Sequence, residues 1–252
     1  MVGTSTTAQS AIFSPLTVGG RVDAVIDRLY GAITLGLIGE GEQLPRETEL
    51  ASSLGVSTVT LREALSQLRS LGLVKTRRGR GGGSFANLPD GWEPAHRIQR
   101  LTELGAYELR DMGDVALAIA GMAARRAAER AADEQIAHLD ALVDALAAAK
   151  TTPARYRADG RFHVELAAAA HSVRLATLAM TQQADYAELL WIAPVGDDAA
   201  TQRFHRQTTL SHRSIVEAIR LRDPALARAR AEQRAEDGVE RLLDLHYLLA
   251  ED

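Results

Sequence analysis

Apolar residues recur at helical spacing over most of this chain, and the exceptions are confined to one short region. Val22, Val25, Ile26, Leu29 and Ile33 form one stripe, which predicts a helix over 18–36 that Gly36, Gly39 and Gly41 bring to an end. Leu50, Ala51 and Leu54 give a second, shorter face. Leu44-Pro45 sets its start near Arg46, because proline is tolerated at a helix start, and Gly55 stands where a left-handed residue closes a helix. Leu61, Ala64, Leu65 and Leu68 repeat the pattern behind Ser57, whose hydroxyl can cap the free backbone N–H groups. The period then changes. Leu73 to Thr76 and Ser84 to Ala86 read as two short strands, with Arg77, Arg78, Gly79, Arg80, Gly81, Gly82 and Gly83 between them. After two prolines and a glycine within 87–95, the helical period returns in an Ala-, Leu- and Arg-rich segment. Helices are predicted near 96–109, 112–131, 133–149, 153–170, 172–192, 199–221 and 223–249, with Pro224 marking the last start.

The expected fold class is therefore mainly α: an N-terminal winged helix-turn-helix with a small β-hairpin wing, followed by an all-α helical bundle. The length of 252 residues suits two small domains, and 46% hydrophobic residues suffice for packed cores. The expected organisation is a disordered Ser/Thr-rich tail over 1–17, a winged helix over 18–88, a linker over 89–95 and a helical domain over 96–252. The tail lacks the basic start and apolar core of a signal peptide, and no apolar run is long enough to span a bilayer. Zero cysteines exclude disulfides and thiolate metal sites and fit a reducing, cytoplasmic setting.

Charge changes the picture. Residues 46–85 carry a net +4, whereas the whole chain is −4 and the remainder −8. A basic module on an acidic protein points to a polyanion, and this one has the helix order that places a helix in the DNA major groove. Thr58, Arg62, Ser66 and Arg69 fall on one outer face of the second helix of the pair, where hydroxyls and guanidinium groups meet base edges and phosphates. Arg46, Thr48, Ser57 and Thr60 flank that face, and Arg77, Arg78, Arg80 and Gly81 form a wing suited to phosphates or the minor groove. The expected partner is double-stranded operator DNA. Sites spaced by a helical turn require two reading heads, so a homodimer is expected.

The segment resembles the N-terminal domain of the GntR family of bacterial transcription regulators. The resemblance covers about 18–87 and rests on Leu44-Pro45, Glu49-Leu50-Ala51, Leu54-Gly55-Val56-Ser57, Leu61-Arg62-Glu63-Ala64-Leu65, Leu68, Gly72-Leu73 and Arg78-Gly79-Arg80-Gly81. The family often has arginines where Thr48 and Thr58 stand, so operator affinity or preference is expected to differ here.

In the helical domain Asp159 and His163, four residues apart, point from one helix face, and His212 lies in a later helix. A carboxylate and two imidazoles can bind a divalent cation, and can equally form a hydrogen-bonded core cluster. Asp159 to Leu166 is similar to the metal-binding motif of the FadR-type C-terminal domain of these regulators, and His212-Arg213-Ser214-Ile215 to its second histidine segment. The resemblance implies a third histidine where Arg234 stands, and an arginine and a glutamate near Ala116 and Ala120. Arginine stays protonated and cannot ligate a metal, so a site for zinc or a similar ion is weakened or absent. Arg234 could instead pair with Asp159 or hold a carboxylate directly. Asp159, His163, His212 and Arg234 are thus the candidate effector-binding set, with His171, Tyr156 and Arg203 as further candidates, and the implied effector is a small carboxylate metabolite.

Other readings are weaker. A metal-dependent hydrolase at Asp159, His163 and His212 would lack an adjacent general base and leave the DNA module unexplained. The aminotransferase-like branch of the family needs a Schiff-base lysine, and the chain has only Lys75 and Lys150. The branch with a mixed α/β sensing domain disagrees with the helical pattern. A non-sensing architectural DNA binder would not need the polar set in the bundle.

Overall fold

A computed structural model describes residues 6–16, 22–88, 97–192 and 198–250. The predicted linker at 89–95 lies outside these residues. The N-terminal domain contains α2 (Val22–Thr34), α3 (Glu47–Leu54), α4 (Thr58–Ser70), β1 (Val74–Arg77) and β2 (Gly83–Ala86). The strands pair antiparallel, Val74 opposite Ala86 and Arg77 opposite Gly83. Gly55 closes α3 at φ 69°, and Ser57 Oγ accepts the Thr60 N–H at 3.0 Å to open α4. The turn between the helices is thus fixed by one left-handed residue and one cap. Leu50, Leu54, Leu61, Leu65 and Leu68 are wholly buried and hold the helices at their crossing.

The second domain consists of α5 (Arg97–Glu103), α6 (Ala106–Arg130), α7 (Asp133–Ala148), α8 (Thr152–Ala169), α9 (Val173–Leu190), α10 (Asp198–Arg220) and α11 (Pro224–Ala250). The predicted break near 110–111 falls instead at Leu104-Gly105. The Gly105 N–H donates to Glu108 Oε2 at 2.8 Å, so a glycine followed three residues later by glutamate starts α6. The long helices α6 and α11 run closely together because Gly113 and Gly121 carry no side chain where Val239 and Glu232 press in.

A further difference concerns the N-terminal tail expected to be disordered. Residues Thr6–Ile12 form a helix, α1. Ala8 and Ala11 are fully buried among residues of the helical domain, and Ile12 joins the core of the N-terminal domain. Arg28 of α2, only 7% exposed, closes the end of α1 by donating to Ala11 O at 2.6 Å and to Ser14 Oγ at 3.1 Å. Small residues at helical spacing were the signal, and polar composition concealed it.

The domains touch where α1 and α2 pack on α9, and α8 meets the end of α2. Tyr156 Oη donates to Thr34 Oγ1 at 3.2 Å, and Arg161 Nη1 to Gly36 O at 3.2 Å. Between them Gly160 makes room for Leu35. No helix among the described residues is long and apolar enough to cross a membrane.

Candidate functional site

Two groups of residues are candidates, one on each domain. On the N-terminal domain α4 shows solvent a face of Thr58, Val59, Arg62, Ser66 and Arg69. Arg62 is held in place, its Nε 2.7 Å from Glu47 Oε2 on α3, while its side chain remains 67% exposed. Val59 is 71% exposed, a valine at the start of a helix with no packing role. Sequence reasoning passed over it; its signal was an apolar residue off the buried stripe. The hydroxyls of Ser57 and Thr60 lie 2.9 Å apart, so both are tied to the cap that orients the helix. Arg46 is the N-cap residue of α3, and Arg46 and Thr48 are exposed beside it. In the wing Arg77 stacks over Phe85 with its guanidinium carbon 4.5 Å from the ring centre, whereas Arg78 and Arg80 extend from the tip. Gly79 and Gly81 sit at φ 98° and 82°, which the tight reversal requires.

In the second domain α8, α10, α11 and the end of α9 bring Asp159, His163, His212, Arg234 and Trp191 together. Asp159 is wholly buried. Its Oδ1 lies 2.8 Å from His212 Nε2 and 3.8 Å from His163 Nε2. Its Oδ2 accepts the Trp191 Nε1–H at 2.9 Å and lies 3.6 Å from Arg234 Nη2. Trp191 is a second residue that sequence reasoning missed, because a lone tryptophan ending an apolar helix reads as core. Phe162 stacks on the His212 ring at 4.1 Å and fixes its plane.

Burial alone pushes the Asp159 carboxyl up, but the Arg234 charge and the His212 contact outweigh it and hold the group well below the usual carboxylate range. Burial, with the neighbouring His212 and Arg234, depresses His163 to about 3 despite Asp159, and burial depresses His212 as well. Both imidazoles are therefore neutral near pH 7 and have lone pairs to offer.

The donors of Asp159, His163 and His212 fall within 4.8 Å of one another. The 2.8 Å contact is not aligned as a hydrogen bond, and Asp159 Oδ1 and His212 Nε2 have no hydrogen-bond partner. In the tautomer that leaves Nε2 unprotonated, the carboxylate oxygen and the imidazole nitrogen face each other as two acceptors and fit a cation between them. Arg234 opposes that fit. Its charge already balances Asp159, so a divalent ion would leave a buried double positive charge unless an anion entered with it.

Arg234 is 3% exposed, and its Nε and Nη2 lack hydrogen-bond partners. It also lines a cavity of about 390 Å³ between α10 and α11, whose charged lining is mixed: Arg203 and Arg241 of one sign, and Asp237, Glu240 and Asp244 of the other. Gly238 makes its position possible: a Cβ there would lie 3.2 Å from Arg234 Nη1 and 2.6 Å from Tyr186 Oη. Arg241 serves mainly to close α9, donating to Leu190 O at 2.9 Å and Ile192 O at 3.0 Å. Of the further candidates only Arg203 lies at the cavity. Tyr156 is at the domain contact, and His171 sits at φ 54° in the α8–α9 turn with its Nε2 2.8 Å from Gln135 Oε1. Ala116 and Ala120 are buried in α6, offering no polar group.

A winged helix-turn-helix with a basic wing, joined to a helical bundle that buries a polar cluster beside a cavity, defines the class: a DNA-binding regulator with a second, helical domain. Residues 21–82 match the model of bacterial regulatory proteins, gntR family, and residues 111–247 match the FCD domain. The chain is 38% identical over 251 residues to the HTH-type transcriptional regulator RmpR of Mycobacterium gastri, covering 98% of this chain and 89% of that protein. It is 35% identical over 158 residues to the L-lactate dehydrogenase operon regulatory protein of Escherichia coli, covering 61% and 60% respectively. Among solved structures, E. coli McbR/YncC superposes with a TM-score of 0.52 over 88% of this chain and 97% of that one, at 16% identity, a likeness of fold alone. The chain belongs to the gntR family: it is a DNA-binding transcription regulator whose C-terminal part is an FCD domain of the FadR type. These relatives are transcription regulators rather than enzymes, which leaves the metallohydrolase reading without support.

Proposed function

We propose that the helical domain senses a small carboxylate metabolite, that Arg234 is the group that recognises it, and that the bound state is reported to an operator-bound homodimer. The observation that carries this reading is Arg234 itself: a buried guanidinium with free donors, opening on a cavity. A buried guanidinium with unused donors is costly even with Asp159 opposite its charge, and a carboxylate supplies acceptors in the matching fork geometry. The name of the E. coli relative associates it with the metabolism of lactate, a hydroxy-carboxylate, which is in keeping with this ligand class. Asp159, His163 and His212 would hold a divalent ion such as zinc, which would supply a further positive centre for the same anion; with Arg234 present the site is weak for a cation on its own.

Calorimetry of the purified protein against a panel of small mono- and dicarboxylates tests the reading, with and without chelator and for Arg234→Ala. Binding that survives chelator and is lost in Arg234→Ala is expected. Binding abolished by chelator and indifferent to Arg234→Ala would assign recognition to the metal instead.

On the DNA side, the exposed face of α4 reads the major groove, and Arg78 and Arg80 act through phosphates. Replacing both by glutamine should reduce the slope of log affinity against log salt by about 1–2, roughly one for each phosphate no longer neutralised. An unchanged slope would mean that the wing stays off the DNA.

A further inference from the structure

We infer that the outer face of α6 is the seam of the homodimer, occupied by α6 of a second copy running antiparallel about an axis at Ala118. The inference rests on the homodimer reading above and adds the surface and the register.

On a helix that packs its other faces against α8, α9 and α11, one stripe stays in solvent: Tyr107, Asp111, Asp114, Val115, Ala118, Met122 and Arg125, with Glu129 at its end. Arg125 is half-buried, its side chain 43% exposed. Three of these are large and apolar, yet Tyr107 is 80% exposed, Val115 45% and Met122 40%. The spacing follows one helical face, so they form a continuous strip and not scattered surface residues. Leu178 of α9 is 54% exposed, one turn before Gln182, whose Nε2 donates to Met112 O of α6 at 2.9 Å. The apolar surface thus continues onto a second helix, as a partner interface larger than one helix stripe requires.

The charges select the occupant. Asp111 lies seven residues before Ala118 and Arg125 seven after it. Seven residues are close to two helical turns, so all three share the face. Asp111 has no ion pair or side-chain hydrogen bond among the described residues. Arg125 has only a loose contact, 3.6 Å to Glu129, whose other oxygen takes Arg126 at 2.7 Å. If a second α6 runs antiparallel with Ala118 on the axis, Asp111 of each copy faces Arg125 of the other, twice over. The apolar residues Val115 and Met122 lie within the same strip, and the small alanine at the centre permits close approach. A parallel pairing would set aspartate against aspartate and arginine against arginine. The strip is therefore self-complementary in one direction only, which is what an isologous twofold interface needs.

Sedimentation equilibrium of wild type, Asp111→Arg, Arg125→Asp and the double swap tests this. Both sites are on the outer face, so the circular dichroism spectra of the folded variants should match wild type, with any fall in melting temperature no more than the lost association accounts for. A dimeric wild type is expected, with each single variant dissociating at least about tenfold more readily and the double swap restoring most of the loss. As an independent reading, the chain has no cysteine of its own. Ala118→Cys should therefore form a disulfide-linked dimer under mild oxidation, whereas Leu210→Cys on exposed α10 should not. A wild-type dimer indifferent to all these changes would place the seam elsewhere and overturn the inference while sparing the homodimer. A wild type that is monomeric at every concentration would overturn both.

Discussion

Arg62 shows how one side chain can be both free and aimed. Its ion pair with Glu47 is two-thirds in water and adds little to stability, but it limits the rotamers of a guanidinium standing on the exposed side of α4. Arg62→Ala should weaken operator binding by about 1–3 kcal/mol in a gel-shift titration at fixed salt. Binding equal to wild type, with the variant folded, would remove Arg62 from the interface. Arg234 poses the complementary question of what a cation does where the family pattern implies a ligand. Arg234→His takes the positive charge away from Asp159 and adds a neutral donor to Asp159, His163 and His212. Zinc affinity, measured by competition with a chelating dye, should rise by at least about tenfold. No rise would mean that the three existing donors do not converge on an ion. Much of this site was legible in the sequence, because the i,i+4 pair Asp159 and His163 and the isolated His212 are rare residue types on a helical pattern. Trp191 and Val59 were not, since an apolar residue shows its role only once its neighbours are placed.

At the scale of elements, helices with strong stripes could be read from sequence almost to the residue, and the wing too, because its glycines and arginines interrupt the period. Two features could not. The break at Gly105 depends on a single glycine–glutamate cap inside a continuous apolar pattern. Helix α1 carries only Ala8 and Ala11 at helical spacing, too little to be told from a polar tail, and exists because Arg28 and α9 receive it. The contact of α9 with α2 hides a further group that periodicity alone does not interpret. Glu188 is 5% exposed, its Oε1 has no hydrogen-bond partner, and burial raises its carboxyl to about 7 against the opposing pull of Arg100 and Arg97. A carboxyl whose folded pKa is raised contributes stability that is fully present below its unfolded value near 4.5 and is lost as pH rises through 7. Glu188→Gln keeps the neutral shape at every pH. In urea melts the variant should match wild type at pH 4.5 and exceed it at pH 8, by at most roughly 3 kcal/mol for a shift of this size. Equal stability at both values would show that Glu188 is solvated in the native protein. The histidines do not confuse the comparison, because His163 and His212, both depressed, change protonation on unfolding only below their ordinary value near 6.5 and are present in both proteins.

For the molecule as a whole, the decisive fact is that one helix, α8, carries residues of both the polar cluster and the contact between the domains. Asp159 and His163 face the polar cluster, and Tyr156, Gly160 and Arg161 hold Thr34, Leu35 and Gly36 at the end of α2. A change of charge at Asp159 and a change in the seat of α2 are thus neighbours on one element, which would serve as the carrier of the coupling proposed above between effector and operator. The double variant Tyr156→Phe with Arg161→Ala leaves the cluster and the face of α4 untouched while removing the two hydrogen bonds that α8 side chains make to the end of α2. Removing each bond costs about 1 kcal/mol of stability, which the fold can bear. Operator affinity is then measured with and without the carboxylate that calorimetry identifies. In the wild type the ligand should change operator affinity by a factor in the range of about 5–150, and operator should change ligand affinity by the same factor, because coupling is reciprocal. In the double variant both factors should fall toward one, while each affinity measured alone stays within a few fold of wild type. A coupling factor unchanged in the variant would mean that the message leaves the sensor by another path, through α1 or the dimer seam. A ligand affinity abolished outright would mean instead that the domain contact holds the pocket together and does not merely report on it.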